Sequence, residues 1–180
     1  MREYGPWKIL NSTQIYSDPW LSLQRDDVER PDGAPGTYSV VTLKAGVCVL
    51  PLDADGFVYL TREFHYAVGR VTLECVSGGI DGAEAAQTCG TRELQEELGI
   101  RAETFQHMGT VDPFTASVLS PTQLYLATSL TFGADNQEGT EQIECVRMTL
   151  AQAVDRVLNS EITHAPSCVL ILSVARQLGV

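Results

Sequence analysis

Lysine is nearly missing from this sequence: among its 180 residues only Lys8 and Lys44 carry an ammonium group, and none follows Lys44. Arginine does not make up the deficit, because Lys plus Arg number 12 against 23 Asp plus Glu, a net charge of −11. Broad nucleic-acid binding depends on many cations displacing counterions, so this balance excludes nucleic acid as the expected partner. Any phosphate the chain binds arrives with a metal or meets a few chosen arginines. Long apolar runs are lacking as well. No stretch approaches the ~20 residues that a membrane-spanning helix needs, and "MREYGPWKIL" has no signal-peptide apolar region. The expectation is a cytoplasmic protein with no membrane partner. The five cysteines, Cys48, Cys75, Cys89, Cys145 and Cys168, include no C-x-x-C and are odd in number, which reads as reduced, mostly core-filling thiols. Internal repeats and low-complexity tracts are absent too.

What is present divides into two parts. "WKILNSTQIY", "WLSLQRDDVERPDG" and "TYSVVTLK" alternate apolar and polar residues between turn clusters, as half-buried antiparallel strands do, and suggest a small β-subdomain over residues 1–43. Residues 44–180 form the second expected domain. "GVCVLPL" and "FVYLTREF" read as a hairpin across 53–56, and "VTLECV" as a short strand leading into Gly78-Gly79. A helix follows from about Ala83 to Leu98, stopped by Gly99 as a left-handed cap. "FQHMGTVD", "TQLYLATSL" and "IECVRMTL" read as strands, and two helices close the chain at about 150–158 and 166–177. Strands interspersed with three helices favour an α/β fold with a mixed sheet covered on both faces.

The helix at 83–98 carries a conflict. At ~100° per residue, Glu93, Glu96 and Glu97 fall on one face. Like charges at these spacings repel, and anions in a last turn oppose the helix dipole by ~0.3–1 kcal/mol. Arg92 can pair with Glu96, but the helix supplies little further compensation. The cluster is either a solvated face or a site for a divalent cation with hard oxygen ligands, such as Mg²⁺ or Mn²⁺. The glycine turn at 78–79, which lets backbone carbonyls near Ser77 and Gly78 face the acidic side, favours the second reading.

These residues also resemble a known motif. Gly78, Glu84, Arg92-Glu93-Leu94, Glu96-Glu97 and Gly99-Ile100 match all nine defined positions of the Nudix box across 23 residues. The resemblance implies a Nudix α/β/α sandwich with an added N-terminal antiparallel β-subdomain, and metal-dependent hydrolysis of a nucleoside diphosphate linked to another moiety. It implies two or three Mg²⁺ or Mn²⁺ ions held by Glu93, Glu96 and Glu97, with Glu93 also able to act as a base. Arg92 would orient a box carboxylate, Glu84 would support the loop or a further metal, and a carbonyl at Ser77 or Gly78 would complete a coordination shell.

The segments on either side resemble the ADP-ribose pyrophosphatase-like members of that family. The likeness implies a nucleotide-sugar substrate, a homodimer through exchanged N-terminal strands, and base stacking by Trp7 or Trp20, each of which has a core or interface role as its alternative. Arg62 and Arg70 are candidate diphosphate ligands, with a surface ion pair between Arg62 and Glu63 or Glu74 as the other reading. A glutamate from the loop "GADNQEGTEQIE" would assist the attacking water, making Glu138 and Glu141 candidates. His65 stands where a second arginine is usual and could contact a base or ribose, or simply pack. His107 and His164 show no partner spacing and read as structural.

Gly90 replaces the usual alanine, a cost of ~1 kcal/mol in helix propensity. The proline that marks ADP-ribose specificity is absent from position 116, which is Ala116. That absence weakens the case for ADP-ribose, which still leads, with another ADP-sugar, a GDP-sugar, a dinucleotide or a damaged nucleoside triphosphate as alternatives. A non-catalytic nucleotide-sugar-binding module is the reading from a different class.

Overall fold

The computed structural model describes residues 1–134 and 142–180. In chain order the elements are β1 (Arg2–Tyr4), β2 (Trp7–Ser17), β3 (Leu21–Glu29), β4 (Pro35–Leu43), β5 (Gly46–Pro51), β6 (Phe57–His65), β7 (Arg70–Glu74), β8 (Val76–Gly79), α1 (Ala86–Leu98), β9 (Ile100–Val111), β10 (Val118–Leu119), β11 (Thr122–Phe132), β12 (Glu144–Thr149), α2 (Leu150–Leu158) and α3 (Ala165–Leu178). They form two compact units, residues 1–45 with 112–120, and residues 46–111 with 121–180.

The first unit is one sheet ordered β1-β2-β3-β4-β10. Its first four strands form an antiparallel meander, and β10 joins β4 in parallel, Val118 opposite Val41. Ile9 and Val28 are its buried apolar residues, and Trp7 meets Tyr38 edge-on with ring centroids 5.5 Å apart. Leu10, Ile15, Tyr16 and Trp20 stay exposed.

The second unit is built around a mixed sheet ordered β8-β5-β11-β9, in which β5 and β11 run parallel. Successive strand residues point to opposite faces, so β5 feeds two cores at once. Val47 and Val49 pack with Cys89 and Leu94 of α1, while Cys48 and Leu50 pack with Leu170, Ile171 and Val174 of α3. β11 repeats the division, with Tyr125 and Ala127 on the α1 side and Leu124 and Leu126 on the α3 side. This is the α/β/α sandwich. A three-stranded antiparallel sheet, β12-β6-β7, adds Val58, Leu60 and Met148 to the α3-side core, where α2 contributes Leu150 and Ala153.

Four expectations about local structure need correction. Gly78 and Gly79 are not a turn: they lie in β8, paired with Val47 and Gly46 of β5. β5 and β6 are not a hairpin: they belong to different sheets and share one isolated bridge, Leu52 to Val58. "VTLECV" is not one strand but two, since β7 stops at Glu74 and β8 starts at Val76 in another sheet. The box helix starts at Ala86, because a turn occupies 81–84: the Glu84 N–H donates to the Asp81 carbonyl at 2.9 Å, and Gly82 takes a φ of +50°. Its end matches the expectation. Gly99 is left-handed at φ 63° and donates to the Gln95 and Leu94 carbonyls.

The glycine in mid-helix has a packing reason. A Cβ placed on Gly90 would lie 2.9 Å from Cγ2 of Val49, a fully buried, β-branched side chain with little room to give. The bare helix backbone thus sits directly on β5. Gly90→Ala should therefore lower stability by about 1–3 kcal/mol through overpacking, overcoming the ~1 kcal/mol gain in helix propensity. Urea denaturation checks this, and a raised midpoint would refute the close-packing argument.

Candidate active site

Close packing of α1 on β5 and β8 brings the acidic helix face to the end of β8. Gly78 pairs with Val47 near the end of the β5–β8 ladder, and the Glu93 side chain lies against it. A Cβ on Gly78 would come within 2.0 Å of Glu93 Oε1, so the carboxylate occupies the space that any other residue would fill. Ser77 is half-buried, and its hydroxyl donates back to the Cys75 carbonyl at 3.0 Å.

Arg92 organises the carboxylates beside this strand end. Its Nη1 donates to Glu93 Oε1 at 2.8 Å and to Glu96 Oε2 at 3.0 Å. Nε and Nη2 reach the two oxygens of Glu84 at 3.4 and 3.3 Å, and Nη2 also lies 3.4 Å from Cys89 Sγ. Bonding to Glu84, with Glu93 and Glu96 beside it, raises the guanidinium pKa further, so this charge is permanent. In return, Arg92 holds the Glu84 carboxyl below its usual range. Whatever stability that carboxylate contributes is present above about pH 4.3 and fades as the pH falls through its depressed value. Cys89 is buried, donates to the Gly79 carbonyl at 3.4 Å, and its thiol is pushed up to about 12 by burial and by Glu93, so it stays neutral. Glu97, one turn beyond Glu93, is only 7% exposed.

Four glutamates and one arginine leave this patch formally at −3. Among the described residues, no three acidic, histidine or cysteine side chains are already gathered around one point. The donor set nevertheless fits a divalent cation: every candidate ligand is a hard oxygen, negative charge is in excess, and the Gly78 cradle leaves the Glu93 carboxylate against a main-chain strand.

The remaining sequence candidates fall elsewhere in the two units. Arg62 pairs with Glu144 at 3.2 Å, its neighbour in the β6–β12 ladder, rather than with Glu63 or Glu74, and both partners are exposed. Arg70 donates to Thr163 Oγ1 at 2.8 Å. His65 Nε2 lies 3.4 Å from Glu74 Oε1. In the first unit, Trp7 is half-buried against Tyr38, whereas Trp20 is 71% exposed. Glu138 and Glu141 lie outside the described residues. All five cysteines are free, but Cys145 is exposed rather than part of the core. His164, read as structural, proves to be hydrogen-bonded to Ser167 and close to Glu74, a grouping that residues some 90 positions apart do not announce in sequence.

A NUDIX domain model matches residues 42–166, well over half of the chain. The chain belongs to the Nudix family. It is a hydrolase of that family, whose members work with divalent metal ions, and no helix among its described residues is long and apolar enough to cross a membrane. A second model, the nucleoside diphosphate sugar hydrolase N-terminal domain, matches residues 7–41. The chain is 26% identical over 171 residues to an ADP-ribose pyrophosphatase of Mycobacterium tuberculosis, covering 93% of this chain and 83% of the relative. It is equally 26% identical over 172 residues to an ADP-ribose pyrophosphatase of Bacillus subtilis, covering 91% and 90%. A methanol dehydrogenase activator of Bacillus methanolicus is 22% identical over 170 residues, covering 91% and 90%. Among solved structures, an ADP compounds hydrolase superposes with a TM-score of 0.85 at 20% identity, over 99% of this chain and 97% of that one, a likeness of fold.

In this Nudix chain the Gly78 contact offers a test of Glu93. Gly78→Ala sets a methyl where Glu93 Cγ, Cδ and Oε1 now lie, so that side chain must move. If Glu93 acts in the reaction, kcat/KM on a pyrophosphate substrate should fall about 100-fold, as expected for a group misplaced by about 1 Å, with a melting temperature within a few degrees of wild type. Full activity in the Gly78→Ala enzyme would show that Glu93 does not need its seat on Gly78.

Proposed function

We propose that the chain hydrolyses the pyrophosphate bond of a nucleoside diphosphate sugar, with ADP-ribose as the leading substrate, giving a nucleoside monophosphate and a sugar phosphate. The observation that carries the reading is an intact box, its carboxylates gathered on Arg92 beside Gly78, in a chain whose residues 7–41 match a nucleoside diphosphate sugar hydrolase N-terminal domain. The two ADP-ribose pyrophosphatases aligned over nine-tenths of the chain support the choice of substrate.

Two or three Mg²⁺ or Mn²⁺ ions held by Glu93, Glu96 and Glu97, with Glu84 and a carbonyl of Ser77 or Gly78 in support, would neutralise the diphosphate and acidify a water molecule. The chain's own groups supply position. Arg92 holds Glu93 and Glu96 at fixed separations, and the side-chain-free Gly78 seats the Glu93 carboxylate against the main chain of β8. Glu93, or Glu138 or Glu141 further along the chain, takes the proton from the attacking water. Arg62 and Arg70 reach phosphate oxygens by giving up the exposed partners Glu144 and Thr163, an exchange that costs little because surface pairs contribute only about 0–1 kcal/mol. His65 contacts the base or ribose. Trp20, with a free face, is a better stacking surface than Trp7. The five free thiols suit a cytoplasmic setting.

Phosphate-coupled turnover of ADP-sugars, GDP-sugars, dinucleotides and triphosphates with Mg²⁺ or Mn²⁺ tests the reading. ADP-ribose should turn over fastest, and Glu96→Gln or Glu97→Gln should cost at least about 100-fold, the upper end of what even an outer partner of a metal site costs. Metal-independent binding of a nucleotide sugar without turnover, equal in wild type and mutants, would replace the enzyme by a sensor.

A homodimer through the N-terminal strands gives the exposed Leu10, Ile15, Tyr16 and Trp20 a partner. Sedimentation should accordingly return twice the chain mass, and Leu10→Asp with Ile15→Asp should shift it toward the monomer. A wild-type monomer at micromolar concentration would count against strand exchange.

A further inference from the structure

The backbone that enters β8 is held from outside the box. Cys75 stands alone between β7 and β8, where the chain passes from one sheet to the other. Its N–H donates to Ser167 Oγ at 2.9 Å, and Ser167 is completely buried in the first turn of α3. Ser167 Oγ lies 2.8 Å from His164 Nδ1, and the same nitrogen is 3.2 Å from Glu74 Oε2. The other Glu74 oxygen accepts from the Thr72 hydroxyl at 2.6 Å and faces His65 Nε2 at 3.4 Å.

The protons can be placed by chemistry. A carboxylate has only lone pairs to offer, so the His164 nitrogen beside it carries hydrogen, and donates it to Ser167. Burial holds the imidazole below its ordinary pKa, and the neutral Nδ1–H form serves the purpose. With Ser167 Oγ accepting from both His164 and Cys75, its own hydrogen is left for Cys48 Sγ, 3.8 Å away. Cys48 is the residue opposite Ser77 in the β5–β8 ladder. The three partners of Ser167 therefore lie at the N-cap of α3, at the strand break and on the strand that pairs with β8. α3 has no acidic residue in its first turn and no side-chain cap, and Glu74 supplies an anion beside its N-cap, His164.

We propose that His164 and Ser167 are positioning residues of the metal site, fixing through Cys75 the path of residues 75–78 and so the seat of Glu93 on Gly78. The inference rests on the box being a divalent-cation site. The brace meets the chain at Cys75, two residues before Ser77. It acts on the main chain that delivers Ser77 and Gly78, as outer partners orient the ligands of metal centres.

Mn²⁺ titration of the substrate-free protein, followed by electron paramagnetic resonance, separates this role from simple anchoring of α3. Ser167→Ala and His164→Ala should weaken Mn²⁺ binding about 10-fold, the lower end of the loss expected for an outer-shell partner. His164→Asn, which keeps an amide N–H near the Nδ1 position, should recover most of that loss. Glu97→Gln serves as the control for the box itself. Unchanged Mn²⁺ affinity in both alanine variants, with a lowered melting temperature, would reduce the brace to a structural role and overturn the proposal. Equal losses in His164→Ala and His164→Asn would also overturn it, since the donor at Nδ1 would then be irrelevant. A wild-type protein that binds no Mn²⁺ defeats both readings, whereas one that binds Mn²⁺ yet hydrolyses no nucleotide sugar defeats only the proposed substrate.

Discussion

Everything at the site depends on one guanidinium among four carboxylates. Glu84, Glu93 and Glu96 converge on Arg92 with Glu97 a turn away, and without that cation the end of α1 would set like charges beside one another and against the helix dipole. Arg92 suits the task because its donors are fixed in one plane and its charge cannot be lost. Lysine offers a single ammonium point and could not hold Glu84 on one edge of the group and Glu93 and Glu96 on another. The near absence of lysine from the chain is consistent with how its cations are used at this site, by direction as well as charge.

Arg92 can do this only where the sandwich places it. Alternation along β5 sends Val47 and Val49 to one core and Cys48 and Leu50 to the other, so one strand ties α1 and α3 to opposite faces of the same sheet. Gly90 lets α1 approach β5 to backbone distance, and one turn later that approach brings Glu93 onto Gly78. The two glycines have different purposes. The first admits a neighbouring valine, the second admits a carboxylate, and neither is used for a left-handed backbone.

The box was legible in the sequence because it is local. Its nine positions lie within 23 residues, so helix periodicity and turn chemistry reveal the shared face of Glu93, Glu96 and Glu97 without knowledge of distant contacts. The stop at Gly99 and the helices at 150–158 and 165–178 were readable for the same reason. Sheet membership was not. "GVCVLPL" and "FVYLTREF" look like a hairpin because short apolar strands joined by an Asp-Gly turn carry no mark of which neighbours they pair with. The break at Cys75 is equally silent, since it is defined by Ser167 and Cys48, residues distant in the chain. The partner of Arg62 followed from ladder register, and the grouping of Glu74 with His65 and His164 from the packing of α3.

The helix end keeps its unfavourable charges for a thermodynamic reason that the helix alone does not reveal. Repulsion among helix-surface carboxylates costs at least a few tenths of a kcal/mol per pair, and Arg92 offsets part of it. A cation that binds only the native arrangement adds stability that grows with its concentration, about 2.7 kcal/mol at a hundred times its dissociation constant. That gain is of the same order as the local cost. If a divalent cation is held by the box, replacing a box glutamate by a neutral residue relieves the helix but forfeits that stabilisation, so the charges that look misplaced in the isolated helix are offset by the ligand.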